Sequence, residues 1–504
     1  MPKCYSKCRK IPQDLCTHDE CRYINGTRRK YCRLSYKYKL DENCIARQRE
    51  TRRRRTSKKQ SNVTKKKHAA QKIAKFMVKV DPNKRRARFL QSICSDSGVC
   101  MTFGKEYRTI HKHFDGFVDF TYVKPPIKRI GEPSQNGFVD EITYERNGYI
   151  ANSVLKSSTS EYSDNLMFEY LVGQYINKQC PIFPCFVETY GLFSYKNVDA
   201  WKHMKDTKTI TENVVKDSLI LLKVTNGTNL EKSLEISCVR SKYLSILIQH
   251  IKDAESFYTM SQQPAFIKQD IINVLYQIYM PLSTLANTFT HYDLHLDNVL
   301  VYEPVKGKYI QYRYVLDDGT TIEFKSPYIA KLIDYGRSFF VDDSQTISSK
   351  SIYDTICKIK KCSPNCGEDY GFSNVSPEEY PGSYYYISSS KRNMSHDLRL
   401  LDGLKTTEGI QRVNPALHDM LTTVVYGFGL KENKHYGTKE QNKPSKLNKS
   451  GMPLKISNVI DAHQALKTMI LKNGFQNDSH YEKMESLGNL TIYQSGRAME
   501  FLPQ

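Results

Sequence analysis

The chain has 504 residues, 39% apolar and 25% charged, a composition ordinary for a globular protein and long enough for two to four domains. It has no run of 18 apolar residues, which excludes a transmembrane helix, and its first ten residues, MPKCYSKCRK, lack the apolar core of a secretory signal. The formal net charge of +22 lies wholly in residues 1–88, which hold 29 Lys+Arg against 7 Asp+Glu, while the rest of the chain holds 46 of each sign.

An intracellular protein made of two bodies with different tasks is therefore expected. Residues 1–45 form a Cys-rich basic segment. Cys4, Cys8, Cys16 and Cys21, with His18 nearby, supply enough ligands for a tetrahedral Zn²⁺ site, but no paired C-x2-C occurs. Reduced thiols in a basic arm are the alternative. Residues 46–88 read as a disordered tether, because tracts such as RRRRTSKK repel themselves and carry little apolar area. The whole segment 1–88 suits nonspecific, salt-sensitive binding to nucleic acid or another anionic surface, or nuclear import; a solvated tether is the plainer reading. Fourteen cysteines in an intracellular chain are expected as free thiols, metal ligands or small core residues rather than disulfides.

Residues 89–223 read as strands around one helix. GFVDEITYE alternates, an RNG turn follows, and YIANSVLKS returns as the second arm of a hairpin. Asp164 is a candidate N-cap for the helix NLMFEYLVGQYI, and CFVETYGLFSY and SLILLKV read as further strands. Residues 224–430 have a helical texture. Ile271, Leu275, Ile278, Leu282 and Leu285 make one apolar helix face that leads directly into HYDLHLDNVL. Short strands are expected near NVLVYE and YIAKLID, with an extra hairpin between them. Residues 431–504 read as a polar loop and a helical tail. Strands first and helices later suggest an α+β chain of two lobes.

HYDLHLDN carries His291, Asp293 and Asn298 in the pattern H-x-D-x-x-x-x-N. An aspartate there can accept the proton of an attacking hydroxyl, and an amide oxygen five residues on can bind a metal on phosphates. Alone the pattern is weak: a polar helix end followed by a turn, or His291, Asp293 and His295 as metal ligands, would also satisfy it. Its neighbours occur in a telling order. RIGEPSQNGFV offers Gly131, Ser134, Gly137 and Val139 as a phosphate-covering loop, although Pro133 stands where a second glycine is usual. Lys156 ends a strand, and Glu169 follows 13 residues later on the inward face of a helix with Leu166, Val172 and Ile176. AKLIDYGRS then places Asp334-Tyr335-Gly336 after an apolar strand. Singly, each of these has a bland reading as a turn, an exposed lysine or a solvated glutamate.

Together the motifs resemble the eukaryotic-type protein kinase superfamily over residues 126–430, and in particular the serine/threonine kinases of large nucleocytoplasmic DNA viruses. The resemblance implies a two-lobed kinase-like fold with a β-rich small lobe and a helical large lobe. It implies ATP and Mg²⁺ in the cleft, Asp293 as base, Asn298 and Asp334 as Mg²⁺ ligands, and Lys156 steadied by Glu169 on the phosphates. It implies a Ser/Thr protein kinase and, for a viral chain, residence in host cytoplasm or virion. In SHDLRLL, Asp397 corresponds to a buried helix aspartate that holds the catalytic loop; an N-cap role, with Ser395 as rival cap, is the alternative. Some positions depart from the family. Tyr292 replaces the arginine of H-R-D, which removes the usual clamp for a phosphorylated activation loop. His295 replaces a lysine that contacts the transferred phosphate, which leaves room for a small-molecule acceptor. Ser376-Pro377-Glu378 is only a faint match to A-P-E. Cys357, Cys362 and Cys366 number too few for a zinc site by themselves. A non-catalytic scaffold tethered by the basic arm is the remaining alternative.

Overall fold

The structure, a computed structural model, describes residues 21–25, 30–34, 108–134, 137–160, 166–224, 230–359, 387, 389–426, 443–473 and 478–503. The chain divides into two units, Met1–Arg85 and Arg86–Gln504. In the first, β1 (Cys21–Asn25) and β2 (Lys30–Leu34) pair as an antiparallel hairpin. Cys4, Cys8 and Cys16 and the 46–88 tether fall almost wholly outside the described residues, as does the side chain of Cys21.

The second unit opens with a seven-stranded antiparallel sheet. Its strands are β3 (Val123–Ile130), β4 (Gly137–Arg146), β5 (Tyr149–Ser158), β6 (Thr189–Tyr195), β7 (Thr209–Ile210), β8 (Leu219–Leu221) and β9 (Leu244–Gln249). Their order across the sheet is β7-β3-β4-β5-β9-β6-β8. Strand β4 buries Phe138, Asp140, Ile142 and Tyr144 and leaves the residues between them partly exposed, the period of two that a one-faced strand requires. Asn147 and Gly148, both at positive φ, make the tight turn into β5. The last strand, β9, pairs with both β5 and β6, so the small lobe extends to about residue 249 rather than ending at 223. Its six residues, LSILIQ, are too apolar and too short to betray which lobe they join; only strand pairing decides it.

Between β5 and β6 runs helix α1 (Leu166–Gln179), which lies against the sheet with Leu166, Glu169, Val172 and Ile176 all buried, as the spacing predicts. Asp164 falls outside the described residues. Gly173 lets α1 approach the sheet: a Cβ there would lie 2.2 Å from Thr189 Oγ1 and 2.6 Å from Thr189 Cβ. Helix α2 (Val198–Asp206) and β7 form an insertion on the sheet's edge. Arg129 ties it down, pairing with buried Asp140 at 2.7 Å and donating to the carbonyls of Met204 and Lys205.

The large lobe is built around helix α3 (Ile271–Thr284), whose residues Ile271, Leu275, Ile278 and Leu282 are fully buried. A short helical piece, Pro264–Gln269, precedes α3 and ends at Asp270, where the helical run breaks. The Asp270 carboxylate accepts from Ser326 Oγ and Tyr481 Oη instead of capping α3. Following α3 come β10 (Phe289–Thr290), β11 (Val299–Tyr302), the inserted hairpin β12 (Lys308–Val315) and β13 (Thr321–Ser326), β14 (Ile329–Leu332) and β15 (Phe339–Asp342). Helix α4 (Arg399–Leu404) and helix α5 (Val459–Asn473) lie further on. The C-terminal tail is not purely helical. It ends in β16 (Glu485–Tyr493) and β17 (Glu500–Pro503), and β16 pairs in parallel with β12 to complete a four-stranded sheet. The inserted hairpin needs a partner for its edge, and the tail supplies it.

Cys180 and Cys185 are buried free thiols, as small core residues should be, but Cys238 and Cys357 are each disulfide-bonded, against the expectation of reduced thiols. Their spacing carries no signal for pairing, which depends on tertiary proximity. No helix among the described residues is long and apolar enough to cross a membrane.

The close approach at Gly173 is testable. Gly173→Ala should lower stability by about 1–3 kcal/mol through overpacking, read from the urea midpoint. Adding Thr189→Gly, which removes the opposing side chain, should recover part of that loss.

Candidate active site

Five residues singled out in the sequence come from four separate places in the chain. Lys156 lies near the end of β5, opposite Val139 of β4 in the sheet register, so the two share a face. Its Nζ lies 2.8 Å from Glu169 Oε2 on α1 and 2.9 Å from Asp334 Oδ1 beyond β14. The Glu169 carboxylate is buried, whereas the Asp334 side chain is 41% exposed and opens toward solvent. Burial works against the ammonium of Lys156, but the two carboxylates outweigh it and hold the group charged above its ordinary range. For Asp334, burial again opposes charge, and Lys156 overrides it to bring the carboxyl to about 2. Because this value lies below that of an unfolded aspartate, the pair contributes stability at neutral pH. That contribution disappears only as pH falls through about 2.

Asp334 has φ +66° and Tyr292 has φ +65°, left-handed conformations that a non-glycine residue adopts only when its surroundings impose them. Gly336 makes room beside Glu169. A Cβ there would lie 3.3 Å from Glu169 Oε2, so the glycine leaves space for the Lys156–Glu169 pair. Tyr335 is buried, donates to the Leu332 carbonyl at 2.7 Å and accepts from Val187 N at 3.2 Å. The hydroxyl of this Asp-Tyr-Gly thus finds two backbone partners that a phenylalanine would leave unused.

HYDLHLDN crosses from β10 to β11. Asn298 Nδ2 donates to the Asp293 carbonyl at 2.9 Å, and its own carbonyl accepts from Ile333 N at 3.1 Å. Since Val299 pairs with Leu332, Asn298 and Asp334 sit at adjacent ends of two paired strands. One amide oxygen and one carboxylate are hard donors, the set that Mg²⁺ accepts when phosphates and water complete its shell. Among the described residues, no group of three His, Cys, Asp or Glu forms a self-sufficient metal cage. His291 is fully buried. Its Nε2 donates to the Ile333 carbonyl at 3.0 Å, and burial drives its pKa down to about 4, so the ring is neutral and structural. Among the described residues His291, Asp293 and His295 form no three-ligand group, and His291 Nε2 is engaged by the Ile333 carbonyl, so the alternating-ligand reading finds no support.

The N-cap alternative for Asp397 also fails. Its carboxylate accepts from His291 N at 2.8 Å and Tyr292 N at 2.9 Å, beneath the loop, while Ser395 Oγ donates to the Ser457 carbonyl. Burial pushes the Asp397 carboxyl up to about 7, and the two N–H donors act in the opposite direction. Arg399, absent from the sequence-derived set, donates from Nη1 to Asp293 Oδ1 at 2.6 Å. The signal that could have found it is its position two residues after Asp397.

Of the loop expected to cover phosphates, Gly131 has φ +66° with open space around it, while Gly137 lies against β5, where a Cβ would stand 2.6 Å from the Ser157 carbonyl oxygen. Ser134 closes the turn: its backbone N–H donates to the Gly137 carbonyl at 2.8 Å, and its hydroxyl accepts from Gly137 N at 3.1 Å.

Removal of the Asp397 carboxylate should leave two buried backbone donors unpaired. Asp397→Ala is expected to cost about 1–3 kcal/mol per orphaned group, measured by chemical denaturation, and Asp397→Asn, which keeps one acceptor, should cost less.

No family model matches the chain. It is similar to "Probable kinase 098L" of Invertebrate iridescent virus 3, with 21% identity over 340 residues, 64% of this chain and 54% of that protein, so the match spans about half of the relative's length. Among solved structures it is similar to the kinase domain of PF14_0431, with 15% identity, TM-score 0.24, and coverage of 60% of this chain and 80% of that one. It is also similar to WaaP in complex with acyl carrier protein, with 8% identity, TM-score 0.26, and coverage of 64% and 87%. Superpositions this loose carry no weight, and the fold is read from the chain itself. The five central strands of the small-lobe sheet, taken in sequence order, lie first, second, third, fifth, fourth; a helix between the third and fourth pairs through Glu169 with the lysine of the third; and that lysine also meets Asp334 of the helical lobe. The chain is a divergent protein with a two-lobed, kinase-like α+β fold.

Proposed function

We propose that the chain is a phosphotransferase that moves the γ-phosphate of ATP to a hydroxyl, and that the acceptor is a serine or threonine of a protein. The observation that carries this reading is the pairing of Lys156 with Glu169 and Asp334, beside the loop on which Asn298 donates to the Asp293 carbonyl. Lys156 would grip the α- and β-phosphates under the loop of Gly131, Ser134, Gly137 and Val139. Asn298 and Asp334 would hold Mg²⁺, which when bound neutralises charge on the phosphate oxygens. Asp293 would orient the acceptor hydroxyl and take its proton. Such catalysis is chiefly positioning and electrostatic stabilisation, which is what a set of side chains held by paired strands and buried anchors can supply.

A small-molecule acceptor is the second reading, and one observation favours it. His295 stands where a lysine would mark a protein kinase. Burial lowers its pKa, and its Nδ1 accepts from Asp297 N at 3.3 Å, so it is a neutral ring and not a cation. The basic segment 1–88 would act in either case as a handle for anionic surfaces.

Transfer of labelled γ-phosphate from Mg-ATP to mixed protein and metabolite pools, with products identified by mass spectrometry, tests both readings. Asp293→Ala should lower the rate about 100- to 10,000-fold, far more than the modest fall in melting temperature from leaving Arg399 without its carboxylate can account for. Asp334→Asn should act similarly by removing a charged ligand. An Asp293→Ala protein as fast as the parent would sink the proposal.

A further inference from the structure

Asp293 must keep its carboxylate aimed at an acceptor, yet the loop that carries it offers little to hold that side chain. Within HYDLHLDN the nearest candidate is His295, whose Nε2 lies 3.9 Å from Asp293 Oδ1, beyond hydrogen-bonding distance. The hold comes from elsewhere in the chain. Arg399 Nη1 lies 2.6 Å from Asp293 Oδ1, and the Arg399 side chain is 13% exposed. Arg399 is the first residue of α4, whose Leu400, Leu401 and Leu404 are fully buried, so the guanidinium projects from a packed element rather than a loop. Two residues earlier, Asp397 binds the backbone N–H groups of His291 and Tyr292. One three-residue stretch, Asp397 to Arg399, thus grips both the backbone and the side chain of the loop.

We infer that Arg399 is a positioning residue for the transfer proposed above, on which this inference rests: it holds Oδ1 of Asp293 so that Oδ2 faces the acceptor. In the step, the acceptor O–H proton passes to Asp293 Oδ2, the acceptor oxygen forms a bond to the γ-phosphorus, and the bond from that phosphorus to the β–γ bridging oxygen breaks, releasing ADP. Arg399 acts only through Asp293 and touches neither nucleotide nor acceptor. Arginine suits the task better than lysine because its planar fork fixes the direction of the carboxylate as well as its charge.

The test is a double-mutant cycle on the full-length protein, read as kcat and KM for Mg-ATP, with melting temperature recorded for each variant. Arg399→Gln should lower kcat about 10- to 100-fold, the scale on which misplacement of a reacting group is felt, and leave KM for ATP within about two-fold. Arg399→Lys should recover part of that loss, since charge returns without the fork. In an Asp293→Asn background, followed by single-turnover transfer with enzyme in excess, Arg399→Gln should cause no further loss. A loss of equal size in that background, or a rise in KM for ATP matching the fall in kcat, would mean that Arg399 contacts the nucleotide directly, and would overturn the inference. A fall in kcat for Arg399→Gln and Arg399→Lys that only tracks a lowered melting temperature would reduce the residue to scaffold and overturn it as well. If the parent transfers no phosphate to any acceptor or to water, the phosphotransferase reading itself falls, and the inference with it; an active parent with Arg399→Gln at parental kcat removes the inference alone.

Discussion

A single ammonium group, Nζ of Lys156, answers two carboxylates that reach it from different parts of the molecule. Glu169 comes from a helix packed on the small-lobe sheet, and Asp334 from the end of a large-lobe strand. Removing Lys156 would leave two carboxylates facing one another without a cation, one of them buried, which costs more than the pairing contributes by forming. The arrangement therefore demands that the lobes meet in one register. Much of the surrounding structure serves that demand: Gly173 lets α1 lie close to the sheet, Gly336 clears space beside Glu169, and Tyr335 pins the turn after Asp334 to the backbone at Val187.

The loop below is held by the opposite device, a lone buried acid. Among the described residues Asp397 meets no cation, and its carboxylate accepts from two backbone N–H groups. That contact holds the left-handed backbone at Tyr292, and the Tyr292 hydroxyl donates to the Lys391 carbonyl at 2.7 Å. A tyrosine thus replaces the arginine usual in this motif with a neutral, buried anchor. Arg399, on the same short stretch as Asp397, supplies the cation that meets the Asp293 carboxylate. Position 295, polar and neutral, is left to influence what sits in front of Asp293 rather than how Asp293 is held.

The inserted hairpin shows how a fold absorbs extra chain. Thirty-five residues between Asn298 and the Asp-Tyr-Gly could have left an unpaired sheet edge. Instead β12 finds a parallel partner in β16 from the far C-terminus, and Lys467 of α5 pairs with Asp318 at the hairpin's tip. Tyr276 on α3 fills the space beneath, edge-on to Tyr314 and Phe324 and 3.3 Å by its hydroxyl from His463. These contacts join α3, which leads into the site loop, to the end of the chain.

The sequence by itself determined the pieces whose signals are local. Alternation marked β4 and β5, the Asn-Gly pair marked their turn, and the three- and four-residue spacing marked the buried faces of α1 and α3. The order of Lys156, Glu169, Asp293, Asn298 and Asp334 was legible because chemistry restricts which residue types can fill those places. What only the tertiary structure decided are contacts whose partners lie far apart and whose own neighbourhoods look ordinary. The assignment of β9 to the small lobe rests on pairing with strands nearly a hundred residues away. The break at Asp270 depends on Ser326 and Tyr481, the tail strands on a hairpin some 170 residues upstream, and the disulfides at Cys238 and Cys357 on geometry that spacing does not encode. Arg399 belongs to the same class. An arginine in a helix is unremarkable until folding brings it within 2.6 Å of a carboxylate 106 residues earlier, because long-range electrostatic partners leave no periodic trace in the chain.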